Sequence, residues 1–293
     1  GNIAPAGRCS LGLFEDDTRI LSHYELRGAG SPPVRLSAQL VQPFTARIDL
    51  AVNDHAFGGD SWDPKHAIHL ERELIVDDAL LERLTLTNFL VRPIDYWVEL
   101  SVGCDFADIF ELRGWKRDAR GQFLRPVVED RTIRFAYRGR DGALIESAVC
   151  FRERPHTIGP RGARWSFRLE PGVPVELEWE VQCRRRHSSV SVGANFDQRH
   201  ERLTGIYDAW RDDCSCWSSD VEVFDAALSR AVDDLCSLYV TAGGDRAISA
   251  GIPWYSTVFG RDSIITSIET LPLNPTIAVD TLRYLARRQG TRE

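Results

Sequence analysis

The sequence predicts an antiparallel β-sandwich followed by a shorter α-helical region, and three observations carry that prediction. Through the first two thirds of the chain, apolar and polar side chains alternate with a period of two between Gly, Pro and Asp turn signals, with no helical pattern between them. Near residue 219 the apolar period changes to three and four. The composition can bury both: 43% of the 293 residues are apolar, with 8 Trp, 7 Tyr and 13 Phe that need a core.

In chain order, Leu84 and Leu86 stand between Arg83, Thr85 and Thr87, a strand with one dry and one wet face. Tyr96, Val98, Leu100 and Val102 form the next ladder, and Ile133, Phe135 and Tyr137 another. Arg140-Asp141-Gly142 is a hairpin-type turn, after which Trp165, Phe167 and Leu169 continue the series. A Pro171-Gly172 turn leads into Val175, Leu177, Trp179, Val181 and Cys183, interleaved with Glu176, Glu178, Glu180, Gln182 and Arg184. Many strands without helices between them mean sheets packed face to face. The sandwich is placed at residues 1–205. The stretch from Asn195 to Ser218, with Trp210, Asp212, Asp213 and Trp217, carries the interdomain connection, drawn as a linker at 206–218.

Residues 219–293 read as helical. Val221, Phe224, Ala227, Leu228, Ala231, Leu235 and Leu238 recur at three and four, with Ser219 as the expected cap and Glu222 as its capping-box partner. A second helix is expected from Asp262 to Leu271, stopped by Pro272. The third starts at an Asn274 cap with Pro275 in the first turn, and presents Ile277, Ala278, Leu282 and Leu285 on one face up to Gly290. About 75 residues make an unfinished helical domain, and the lack of any Met leads to the expectation of a processed, trimmed or partial chain.

The net charge of −7 and the absence of a dominant basic block argue against a nucleic-acid partner. No apolar run approaches the roughly 18–20 residues of a membrane span, and residues 1–20 lack a secretory signal pattern. The seven cysteines (Cys9, Cys104, Cys150, Cys183, Cys214, Cys216 and Cys236) are odd in number and scattered, which reads as reduced thiols and a cytoplasmic location.

The run Ala250-Gly251-Ile252-Pro253-Trp254-Tyr255-Ser256-Thr257-Val258-Phe259-Gly260-Arg261-Asp262-Ser263 resembles the beginning of the glucosidase domain of the amylo-alpha-1,6-glucosidase family, the glycogen debranching enzymes. Thr270-Leu271-Pro272-Leu273, Leu282-Arg283 and Gln289-Gly290 resemble its continuation. Gly12-Leu13-Phe14-Glu15-Asp16-Asp17-Thr18-Arg19 and Asp105-Phe106-Ala107-Asp108-Ile109-Phe110-Glu111-Leu112-Arg113-Gly114 resemble signatures of the preceding sandwich domain in bacterial members. The resemblance implies a supersandwich-like β domain followed by an α/α toroid of six helix pairs. It also implies inverting, cofactor-free hydrolysis of α-1,6-linked glucose in glycogen-like glucans or maltooligosaccharides. Carried onto this sequence, it places the terminal-glucose pocket at Trp254, Arg261 and Asp262, and the catalytic acid and base on later loops, beyond Glu293.

The chemistry of a sugar agrees. An aromatic platform suits its C–H faces, and charged forks hold vicinal hydroxyls. The competing reading makes Trp254 a core aromatic and Arg261-Asp262 an ion pair at a helix start. Asp262 is not assigned as the general acid, because a carboxylate beside Arg261 is held ionised. Two functional alternatives remain: a non-enzymatic carbohydrate-binding or scaffold protein whose working unit is the sandwich, and a toroid glucosidase for another α-glucoside.

Other clusters read as structural. Asp105, Asp108 and Glu111, with Arg113, Lys116 and Arg117 to neutralise them, suit a network at a sheet edge or turn, at the interface with the helical domain. Glu15, Asp16, Asp17 and Arg19 suit a turn and interface. His66 and His69, with Asp63 upstream, point to opposite faces if extended and do not converge on a metal, and Cys214 with Cys216 is a poor zinc pair. Arg184-Arg185-Arg186 reads as a solvated loop; Asn53-Asp54-His55 and Gly58-Gly59-Asp60 read as turns.

Overall fold

Alternating side chains bury only one face of a strand, so two sheets must meet; they do so in the computed structural model, which describes residues 2–3, 10–30, 32–52, 67–185, 193–242, 244–252 and 255–290. The chain divides into two units, Gly1–Arg199 and His200–Glu293.

The first unit contains β1 (Leu13–Glu15), β2 (Thr18–Leu21), β3 (His23–Gly28), β4 (Val34–Gln42), β5 (Thr45–Val52), β6 (Ile68–Val76), β7 (Ala79–Asn88) and β8 (Ile94–Gly103). A one-turn helix α1 (Ile109–Leu112) precedes β9 (Gln122–Phe123), β10 (Val127–Glu129), β11 (Thr132–Arg138), β12 (Leu144–Phe151), β13 (Thr157–Gly159), β14 (Gly162–Leu169) and β15 (Val175–Arg185). The large sheet runs β10-β11-β12-β15-β7-β6-β5-β4, with β9 also on β11; the small one runs β13-β14-β8-β3. Every strand pair in both sheets is antiparallel. One apolar core takes Leu84, Leu86, Phe151 and Trp179 from the large sheet, and Tyr96, Val98, Leu100 and Trp165 from the small one. Trp165 and Trp179 stack across the two sheets at 5.9 Å. The Arg140-Asp141-Gly142 turn joins β11 to β12 with Gly142 at φ +80°, a conformation that glycine adopts without a Cβ clash.

The second unit takes in most of α2 (Phe196–Asp212), then α3 (Glu222–Leu238), the hairpin β16 (Tyr239–Ala242) and β17 (Asp245–Ile248), α4 (Gly260–Glu269) and α5 (Pro275–Ala286). Its small core is Trp210, Tyr239, Ile248 and Ile277. Trp210 donates from its indole to the Val232 carbonyl at 2.8 Å, and Arg211 holds the buried Asp233 carboxylate with two 2.8 Å bonds.

Several expectations need correction. The segment drawn as a connection is helical through Asp212, and the two units divide at Arg199 and His200. Trp210 is buried as expected of an ordering aromatic, whereas Trp217 is 56% exposed. Ser219 does not cap α3: its cap position is Val221, and the Ser219 hydroxyl instead donates to Asp225 and accepts from the Val221 N–H. The Asp225 carboxylate also accepts from the Ser219 N–H, so this side-chain link ties down the segment leading into the helix. Asn274 caps α5 as predicted, accepting from the Thr276 N–H, but the buried line along that helix is Ile277, Ala278 and Thr281 while Leu282 is exposed. Thr281 is inside because its hydroxyl accepts from the Ile248 N–H at 3.3 Å.

No helix among the described residues is long and apolar enough to cross a membrane. The six described cysteines are free thiols. Burial pushes the Cys104 thiol up to about 12 and Cys236 up to about 11, whereas Cys216 is exposed. Iodoacetamide at mildly alkaline pH is therefore expected to alkylate Cys216 well before Cys104, Cys150 and Cys236. Peptide mass mapping over a time course checks this; equal rates would contradict the packing.

Candidate functional site

Two places gather the residues singled out by sequence. The first is a corner of the sandwich where the two separated signatures meet. The β1–β2 hairpin turns through Asp16 and Asp17, both at positive φ, the conformation of a two-residue type I′ loop. Ile109 N–H donates to the Asp17 carbonyl, Arg19 N–H donates to the Ala107 carbonyl, and Thr18 bridges Asp108. Arg19, with its side chain 10% exposed, grips Asp105 through Nε at 3.1 Å and through Nη2, and donates to the Leu11 carbonyl. Arg120 adds a 2.7 Å bond to the Asp105 carbonyl. Asp108 caps α1 by accepting from the Phe110 and Glu111 N–H groups, and Glu111 reaches back to the Asp108 N–H.

The acidic cluster is thus a structural network, as expected, with Arg117 among its partners as expected and Arg19 and Arg120 joining from elsewhere. Asp105 pairs with Arg19, and Glu111 with Arg120 at 3.1 Å; Arg117 pairs with Asp108 and Glu111. Between Asp105 and Asp108, Phe106 sits at φ +46°, which is rare for a bulky side chain.

The second place is the start of α4. Ala250 N–H donates to the Thr257 carbonyl and Gly251 N–H to the Tyr255 carbonyl, closing a loop that ends on the helix. Ser263, fully buried, anchors that helix by donating to the Ile248 carbonyl at 2.8 Å. Arg261 and Asp262 lie in its first turn, 83% and 45% exposed at the side chain, with Arg261 Nη2 and Asp262 Oδ2 3.7 Å apart. Tyr255 and Phe259, both exposed, meet edge to face at 6.0 Å beside them. Trp254 lies outside the described residues. A forked cation, a carboxylate and aromatic faces are thereby available to a ligand at one helix start. The Arg261–Asp262 contact also satisfies the reading as a helix-start pair, since Asp262 complements the helix dipole. Tyr255 and Phe259 belong to the same run as Trp254 and Arg261, and an aromatic spacing of four just before the helix is the signal that marks them.

Elsewhere, His69 Nε2 sits 3.1 Å from Asp49, an ordinary cross-strand pair on β6 and β5, while His66 and Asp63 fall outside the described residues. So do the Asn53 and Gly58 turns and Arg186; Arg184 and Arg185 belong to β15, not to a loop. Among the described residues no group of His, Cys, Asp or Glu is placed to hold a metal ion.

Residues 1–180 match the family model described as the N-terminal domain of (some) glycogen debranching enzymes. A kojibiose phosphorylase-like protein from the human microbiome aligns with a TM-score of 0.46 and 10% identity, over 70% of this chain and 28% of that one. A galactose mutarotase related enzyme from Lactobacillus acidophilus aligns with a TM-score of 0.30 and 8% identity, over 55% and 74%. A mutant of the heparan sulfate lyase HepC from Pedobacter heparinus gives a TM-score of 0.28 and 10% identity, over 57% and 25%. The chain thus spans less than a third of the length of the phosphorylase-like protein. No curated protein matches the sequence significantly.

Proposed function

The chain belongs to the glycogen debranching enzymes that carry this N-terminal domain, and from that premise we propose that it is the N-terminal part of a glycoside hydrolase removing α-1,6-linked glucose from glycogen-like glucans. The family match over residues 1–180 is the observation that carries this reading. In it, Trp254, Arg261 and Asp262 receive the terminal glucose: the guanidinium and carboxylate hold vicinal hydroxyls, and the indole lies against the C–H face. The exposure of Arg261 and Asp262 supports this, since both forks are free to meet a sugar.

Inversion needs an acid and a base about 6.5–9.5 Å apart on opposite sides of the scissile bond. Neither is assigned to Asp262, whose nearest charge is Arg261. The reaction draws on carboxylates and water alone, so the proposal includes no cofactor. A cytoplasmic location belongs to the same proposal and is supported by the free thiols.

The test is calorimetric titration with panose, which ends in an α-1,6-linked glucose. Trp254→Ala and Arg261→Ala are each expected to weaken its binding about tenfold or more, as loss of a central contact does. Unchanged affinity in both variants sinks the assignment. Binding of kojibiose in place of panose, lost in the same two variants, would keep the site and change the linkage.

A further inference from the structure

The sandwich corner that holds Phe106 also opens into a cavity of about 620 Å³, within the size range of small-molecule pockets. It lies between the sheets: His23 and Ser101 come from β3 and β8, Phe123 and Phe135 from β9 and β11, and Arg161 from the β13–β14 turn. Phe106 lines it and also a second cavity of about 380 Å³, bordered by Arg120, Tyr137 and Asp141. The shared ring makes the two neighbours along one cleft.

The cleft has an aromatic ledge of fixed geometry. Phe106 stacks on Tyr137 at 5.7 Å, Phe123 meets Tyr137 edge-on at 5.0 Å, and the Arg120 guanidinium lies over both Phe123 and Tyr137 at 5.1 and 5.8 Å. Phe123 is still 47% exposed. Polar groups without partners accompany it. His23 lines the cavity, with its Nδ1 buried and without a hydrogen-bond partner. The Arg161 side chain is exposed and pairs with no acidic residue among those described. The charged groups around the cleft are of both signs, Arg120 and Arg161 against Asp108, Glu111 and Asp141. That balance favours a neutral polyhydroxyl ligand over a polyanion.

We propose that this cleft binds a linear α-1,4-glucan segment, with C–H faces against Phe123 and Tyr137, both braced from beneath by Phe106, and hydroxyls on Arg161. The site is built wholly from the first unit, beside the Arg19–Asp105 clamp. This inference rests on the reading of the protein as an α-glucan enzyme.

The test uses the whole chain and maltoheptaose, followed by calorimetry and by the Phe123 ring resonances. Phe123→Ala and Arg161→Ala alter exposed side chains and should leave the melting curve in place. Each is expected to weaken maltoheptaose binding, Phe123→Ala by about tenfold, while Arg261→Ala leaves the Phe123 resonance shifts intact. If Arg261→Ala removes maltoheptaose binding and the two cleft variants do not, the cleft assignment is overturned and the glucan reading stands. If the unaltered chain binds neither maltoheptaose nor panose, the cleft and the reading beneath it fall together.

Discussion

Glu82→Ala is expected to cost about 3–5 kcal/mol of unfolding free energy, because it strands a buried guanidinium. Arg72 on β6 and Glu82 on β7 are 2% and 0% exposed and bond through Nε at 2.6 Å and Nη2 at 3.1 Å. Tyr24, from the facing small sheet, donates its hydroxyl to the same carboxylate and accepts from the Trp179 indole. Arg72 Nη1 also donates to Asn2. Burial, then the adjacent Glu82 charge, holds the Tyr24 hydroxyl well above its ordinary value, so it remains a donor. Urea titration measures the loss; a change below 1 kcal/mol would contradict the network. The double variant Arg72→Met with Glu82→Leu is expected to recover most of that stability, since two desolvated charges are then replaced by packed apolar volume.

At Phe106 the usual order of substitutions is expected to reverse. The ring is 4% exposed in the core, so Phe106→Ala should lose about 3–5 kcal/mol. Ordinarily glycine is worse than alanine by roughly 0.5–1 kcal/mol. Here the backbone sits at φ +46°, where a Cβ costs about 1–2 kcal/mol, so Phe106→Gly should be no less stable than Phe106→Ala. Denaturant midpoints of the two variants decide it; a glycine variant clearly below the alanine variant would mean that the site is unstrained.

How far the sequence could be read depended on whether the signal was local. The strand ladders from Leu84 to Cys183 were legible because a period of two follows from the pleat alone. Asn274 was legible as a cap because its partner is two residues away. Helix α2 was not, although Phe196, Leu203, Tyr207 and Trp210 are all buried along it, because turn-forming and charged residues fill the positions between them. The exposed Phe224 and Leu282 fit their helical periods yet lie outside. Periodicity shows which residues share a face and says nothing of what covers it.

The acidic cluster shows the same division. Nearness in the chain pointed to Arg117, which pairs with Asp108 and Glu111, but not to Arg19, 86 residues from Asp105, or to Arg120. By itself the sequence determined the β-sandwich, the switch to helices and the family signatures, since each rests on spacing within one element or on a contiguous run. Only the tertiary structure decided that two signatures form one clamp, that Arg72 meets Glu82, Tyr24 and Trp179 inside the core, and that Phe106 is turned into a cleft. Those depend on strand order and sheet packing, which bring together residues whose separation in the chain carries no local trace.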